Sequence, residues 1–414
     1  MNKTWKKVIG GTMALTLSVS LLAGCSSGKD SDGKTHIEFF SSKVENSNTY
    51  KAIIKEFEKE NPNIAVDFTS PPDAGTVIKT RLTKNDLPDV IALGDDTTFT
   101  DLANSGVLED LSKEDFVGDI QPTYVDMVKK DYDKGDAVYG IPYATNGNGV
   151  IYNKDKFEQL GIKDTPKTWD EFIADLEKAK AAGEIPIYFT LKDSWTGMVA
   201  VNSVASPVTP DQFAKDKTAG KATFKESYSD VADKLLTLIN YGHKDNLGVA
   251  YGDGNTAFAQ GKGVFYLQGN WAIPEILKAN PDANLGVFPF PATNDQSKNK
   301  LVSGIDVLFT VTTQTKHEEE SKKFISFLLD KEQAQKYTDE QSSFSAVKDV
   351  TQNDPILEGF KEDIANGNIT SYPDHFYPTG FNAANFVQDF INKKNKDAFL
   401  SKMDSEWDKV VDRK

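Results

Sequence analysis

The first half of the lettered pattern leaves few folds open, because short apolar runs alternate with amphipathic ones and the links between them are brief. Residues 36–40 (His-Ile-Glu-Phe-Phe) read as a strand. Tyr50, Ile53, Ile54 and Phe57 then share one face of a helix, opened by Asn46, Ser47 or Asn48 and stopped at Asn61-Pro62-Asn63. Residues 64–68 give a second strand, 76–84 a second helix and 89–93 a buried third strand. Strand, helix, strand, helix, strand with short connections predicts a parallel α/β sheet.

The composition shifts to Gly and Asn over 143–153, after Val138-Tyr-Gly-Ile-Pro142, and this predicts a crossing into a second lobe. There Thr168 and Glu171 form a capping box ahead of Phe172, Ile173, Leu176 and Ala179. Residues 185–189 read as a strand, 231–241 as a helix, and Gly286-Val-Phe-Pro-Phe-Pro291 as the return crossing. Residues 303–310 form a strand and 318–329 a helix; the chain is then helical again, down to Phe399, Met403 and Trp407. Within the second lobe, Phe258-Ala259 ends a helix, Gly261 to Gly263 turns the chain, and Val264-Phe-Tyr-Leu267 is a buried strand. Gly269-Asn270 breaks that strand and delivers Trp271 at its carboxyl end, where open α/β sheets bind ligands.

Charge and leader narrow the function. The chain has 414 residues, enough for two domains, and 47 Lys plus Arg against 62 Asp plus Glu give −15, which disfavours nucleic acid as partner. Only Arg81 and Arg413 are arginines, and with so few bidentate clamps for carboxylate or phosphate an uncharged ligand is favoured. Lys3, Lys6 and Lys7 precede an apolar core at 8–22, the pattern of a secretory signal over 1–24. Cys25, the one cysteine, follows Leu22-Ala23-Gly24; residues 25–35 are a flexible polar tether.

Candidate site residues follow from what a neutral, hydroxyl-rich ligand needs: flat rings for C–H faces, and planar carboxylates or amides for hydroxyls. Trp169 and Trp407 have core-like helical spacing, whereas Trp195 and Trp271 each follow a strand in a loop and are expected to stack on ligand. Asp95 and Asp96 follow the third strand; Asp96 either caps the helix ahead of Phe99 or accepts a ligand hydroxyl, and the second role is preferred. Asp306, inside an apolar strand, needs a partner, either a ligand hydroxyl or backbone donors. Asp374-His375 sits in a proline-flanked aromatic loop, as a ligand pair or a surface turn. Asn146, Asn148, Lys43 and Glu45 are further candidates.

Taken together, Leu22-Ala-Gly-Cys25, Asn61-Pro62, Pro88-Asp89-Val90, Tyr139-Gly-Ile-Pro142, Tyr152-Asn-Lys154, Pro166-Lys-Thr-Trp-Asp-Glu-Phe172 and Gly261-Lys-Gly-Val-Phe265 resemble the carbohydrate-binding proteins of bacterial ABC importers, the family of maltose-binding protein, in an order spanning most of the chain. The nearest branch serves raffinose-type and α-1,6-linked oligosaccharides. The resemblance implies an α/β, two-lobed periplasmic-binding-protein fold of type II with ligand in the interlobe cleft. It places the N-lobe at 36–142 plus 292–330, the C-lobe at 143–291 plus 331–414, and the hinge near Pro142 and Pro289 to Pro291. It further implies diacylation of Cys25 and anchoring at the outer face of the cell membrane, permease subunits as partners, and a monomer. No cofactor, metal or catalytic residue is expected, and the branch sets an Asp-His pair on the terminal sugar, at positions matching Asp374 and His375.

Two other classes stay open. A surface glycosidase could draw a carboxylate pair from Asp96, Asp306 and Asp374, although no adjacent Asp/Glu motif on a barrel pattern is present. A glycan-tethering adhesin would share the sugar site, and a permease gene beside this one would separate the two. No Gly-x-Ser-x-Gly or phosphate-binding loop occurs, and Asp131 to Asp136 lacks the Gly placement and closing Glu of a calcium loop.

Overall fold

The computed structural model describes residues 32–412 except 72, 73, 131, 133, 134 and 211. The leader, Cys25, the tether up to residue 31, Arg413 and part of the 131–136 turn lie outside the described residues.

Eleven strands are described: β1 Thr35–Ser41, β2 Ile64–Thr69, β3 Val90–Leu93, β4 Ile141–Thr145, β5 Asn148–Asn153, β6 Phe265–Gly269, β7 Leu285–Phe288, β8 Leu301–Val302, β9 Ile305–Val311, β10 Phe344–Ser345 and β11 Ile369–Thr370. They form two sheets. One has the order β10-β4-β9-β3-β1-β2; the other has the order β11-β8-β5-β6, with β7 also paired to β5. In the first sheet β2 and β3 run parallel to β1, as expected, while β9 is antiparallel to β3 and β4 antiparallel to β9. The carboxyl ends of β1, β3 and β4 therefore meet the start of β9 at one end of the sheet. In the second sheet Asn148, at the start of β5, pairs with both Gly269 and Val302, which brings the ends of β6 and β8 together; β11 runs parallel to β8. These two sheet ends carry the site.

Each sheet has its own core. Tyr50, Ile53 and Phe57 of the helix Ser47–Glu60 pack with Phe39, Phe309 and Phe324 on the first, the face that the helical spacing predicted. Phe172 and Leu176 pack with Phe265, Phe288 and the fully buried Trp407 of the closing helix Lys396–Val411 on the second. The Thr168–Glu171 capping box forms as read from the sequence.

The crossings differ from the expected ones. β4 still belongs to the first sheet, so the chain passes over at Asn146-Gly147 and not at Pro142. β7 and β8 remain in the second sheet, and the return runs through Ser303-Gly304, beyond Pro289 to Pro291. The helix Lys331–Glu340 and β10, expected in the C-lobe, join the first lobe: Ala334, Tyr337, Ala346 and Val347 sit in its core. A third crossing follows before Leu357, which packs with Phe360 against the second sheet. The reason is that buried strands on either side of a crossing are equally apolar, so composition does not mark where pairing changes hands. Residues 185–189 also fall short of a strand. Pro186 lacks an N–H, and the segment follows β6 through a single parallel bridge, Ile187 to Phe265.

Candidate functional site

Between the two sheet ends lies a cleft of about 730 Å³, and most of the residues singled out from the sequence line it: Lys43, Glu45, Asn146, Trp195, Trp271, Asp306, Asp374 and His375. Their convergence follows from the topology. Lys43 stands just after β1, Asn146 just after β4 and Asp306 at the start of β9, all at the same end of the first sheet.

On that wall Lys43, Asp306 and Asn146 are already paired with one another. Lys43 Nζ lies 2.6 Å from Asp306 Oδ2, and Asn146 Nδ2 donates to Asp306 Oδ1 at 2.9 Å. Asp306 thus has side-chain partners, where the sequence offered a ligand hydroxyl or backbone donors; residues 263 apart meet only because β9 reverses beside β3. Burial on its own would lower the Lys43 pKa, but the charges of Asp306 and Glu45 outweigh it and hold the ammonium above its usual range. The Asn146 side chain is held at both ends: its Oδ1 accepts from the Tyr372 hydroxyl at 2.8 Å, while the residue's backbone oxygen accepts from Ser303 Oγ at 2.6 Å. The two crossings are thereby tied side by side. Asn148 is wholly buried, donates to the Val199 carbonyl and does not line the cleft, because it is already inside the second sheet.

Asp96 caps the helix Thr97–Asn104: its Oδ1 accepts from the N–H groups of Thr98 at 2.7 Å and Phe99 at 3.3 Å. It faces two other cavities, of about 270 and 820 Å³, beside the main cleft, which Thr97 lines instead. The sequence weighed this cap and preferred the ligand role; the cap forms because Asp96 has the extended backbone that ends one element and opens the next.

The opposite wall is aromatic. Trp271 lies in the short turn Asn270–Ala272 after β6, its indole N–H donating to Gln268 Oε1 at 3.2 Å, which leaves the ring faces without a polar demand. Gly269 has no alternative: a Cβ there would collide with the Trp271 ring. The buried Asn270 is a strut, accepting from the Gly147 N–H at 2.6 Å and donating to the Ser342 carbonyl at 2.8 Å, so the Gly-Asn-Trp run sets the ring and braces the crossing together. Trp195 is not in a loop. It is the first residue of the helix Trp195–Ala205, is 40% exposed, and meets the Tyr251 ring edge-on at 4.9 Å.

That helix also carries what the sequence reading missed. Trp195, Met198, Val199 and Asn202 all line the cleft, at the i, i+3, i+4, i+7 spacing of one helical face. Asn202 Nδ2 donates to Asp374 Oδ1 at 2.9 Å, and the Asp374 N–H donates back to Asn202 Oδ1 at 3.3 Å. Asp374 and His375 form a single helical turn, Pro373–Phe376, and the imidazole stacks on Tyr372 at 4.7 Å. Burial pushes the Asp374 carboxyl above the usual aspartate range, despite the opposing effects of His375 and Asn202. Tyr251 was missed as well; it starts the helix Tyr251–Ala259, whose end the sequence did locate. Away from the crossings, the Thr379 hydroxyl donates to Asp101 Oδ2, joining the segment after this turn to the first-lobe helix.

The arrangement offers rings on one side and fixed hydrogen-bonding groups on the other. Residues 41–335 match the bacterial extracellular solute-binding protein family. A multiple sugar-binding protein of Streptococcus mutans is 33% identical over 367 residues, 85% of this chain and 86% of that protein. A galactooligosaccharide-binding protein of Bacillus subtilis is 26% identical over 359 residues, 83% and 81% of the two chains. Among solved structures, RafE in complex with raffinose aligns with a TM-score of 0.77 at 26% identity, over 91% of this chain and all 100% of that one. Apo RafE from Streptococcus pneumoniae aligns at 0.69, also at 26% identity, over 92% and 98%. With a two-lobed α/β fold and a family match across most of its length, the chain belongs to the bacterial extracellular solute-binding proteins.

Proposed function

We propose that this protein captures an oligosaccharide outside the cell, between its two lobes, and delivers it to the permease of an ABC importer. The carrying observation is the pairing of walls: Trp195 and Trp271, with Asp374 and Asn202, on one side, and Asp306 with Lys43 on the other. Trp195 and Trp271 stack on sugar rings; Asp374, His375, Lys43, Glu45 and Asp306 receive hydroxyls; Asn146 positions Asp306; and Asp96 serves at the margin through its helix. The preferred class is α-1,6-linked, raffinose-type or isomalto-oligosaccharides, a reading that the raffinose complex and the multiple sugar-binding relative support. Lobe closure is a ligand-driven population shift that presents a new surface to the permease. A lipid on Cys25 keeps the protein, a monomer, at the membrane surface.

Titration calorimetry against α-1,6, α-1,4 and β-linked oligosaccharides tests this reading. Saturable binding with the α-1,6 series tightest is expected; no binding to any sugar would refute it. Asp306 and Asp374 share the cleft, so the same incubations are assayed for free monosaccharide. Hydrolysis of raffinose or isomaltotriose beyond one turnover per protein would replace capture with glycosidase chemistry.

A further inference from the structure

Among the described residues three large apolar side chains stay substantially exposed: Val44, Trp195 and Phe376. The first two line the main cleft. Phe376, at 50% exposure, does not; it closes the Pro373–Phe376 turn and lines a second cavity between the lobes, of about 820 Å³. The two cavities share Thr97, His375 and residues 377–379. They are adjoining chambers parted by one strap, which the Thr379–Asp101 hydrogen bond holds against the first lobe.

The rear chamber repeats the logic of the front one. The second lobe supplies a ring and an amide, Phe376 and Gln212, and the first lobe supplies hydroxyls, Thr100 and Thr123. Lys130 and Lys215 face Asp95, Asp96 and Asp101 in the lining, a slight acidic excess that disfavours an anion. A flat apolar face beside neutral donors and acceptors suits a pyranose more than an anion or an aliphatic chain. We infer that this chamber is a second carbohydrate compartment, taking a branch or the outer units of an oligosaccharide too long for the front cleft, with Phe376 as its stacking face. The inference rests on the oligosaccharide reading above and adds a preference for longer chains.

The test compares a trisaccharide and a hexasaccharide of whichever linkage binds best in the calorimetric panel. Phe376 is half in solvent, so its truncation opens no core cavity. Phe376→Ala is expected to weaken the hexasaccharide roughly five- to tenfold, the worth of one ring's apolar contact, and to leave the trisaccharide unchanged. Phe376→Trp should keep the hexasaccharide affinity. If Phe376→Ala weakens both lengths equally, or neither, the rear chamber holds no sugar while capture in the front cleft stands. If the unaltered protein binds neither length, the oligosaccharide reading itself fails, and this inference with it.

Discussion

The two walls of the cleft are built on opposite plans. The first lobe brings polar groups that are already satisfied within the protein: the Lys43–Asp306 pair and the Asn146 amide. The second lobe brings open ring surface, from Trp195 at 40% exposure through Tyr251 to Trp271, with Asp374 and Asn202 as its polar point. Apolar burial is non-directional and scales with area, whereas a hydrogen bond contributes only about 1 kcal/mol net but loses value steeply with misalignment. One wall is therefore suited to holding and the other to choosing. On this hypothesis the ligand settles first on the second lobe and is sorted when the first lobe closes over it.

The largest expected effect tests that division directly. Trp271→Ala removes the main holding surface and should lower affinity by about 2–3 kcal/mol, roughly thirty- to more than a hundredfold, while the protein still melts cooperatively. Lys43→Met on the other wall should cost less affinity and discriminate less well among linkages. Calorimetry on both variants decides; a Lys43→Met loss exceeding that of Trp271→Ala would reverse the assignment of the walls.

A smaller effect concerns Asp374. Because burial raises its folded pKa above the unfolded value, the protonated form favours the folded state. Stability should fall as pH rises from the ordinary aspartate range through the raised value, and recover on acidification. In the ligand-free protein, Asp374→Asn should flatten this part of the Tm-against-pH curve. A slope of the opposite sign in the wild-type-minus-variant difference would mean that Asn202 and His375 stabilise the anion more than burial penalises it.

The smallest is Asp96→Ala, which removes a helix cap at a cost of about 1 kcal/mol in stability, seen as a modest drop in Tm, with the affinity for a trisaccharide in the front cleft unchanged. A loss of affinity beyond the loss of stability would restore Asp96 to the ligand contacts and make the first wall less self-contained than its hydrogen bonds suggest.

Much of this was legible because it is local. The β1–β3 alternation, the Thr168–Glu171 box and the turn delivering Trp271 each announce themselves within a dozen residues. What stayed hidden depends on pairing across the chain. Nothing near Lys43 points to Asp306, and nothing in 141–153 says that β4 and β5 belong to different sheets. Asn202 is the intermediate case. Its helical register with Trp195 is plain once the helix start is known, but after the apolar run at 185–189 the sequence reads Trp195 as a loop residue, and the helix face behind it does not show. The reason Gly269 must be glycine, a ring lying across it, is tertiary as well.

The position of Asn146 has a practical consequence for redesign. It holds Asp306 with one end of its side chain and Tyr372 with the other, and it stands on a crossing that Ser303 of the second crossing grips. On the proposed reading, recognition on that wall and the joint between the lobes are one fixture. Altering Asp306 or its partners to suit a new ligand would disturb opening along with specificity, so an engineer seeking a changed preference with unchanged motion should work on the aromatic wall.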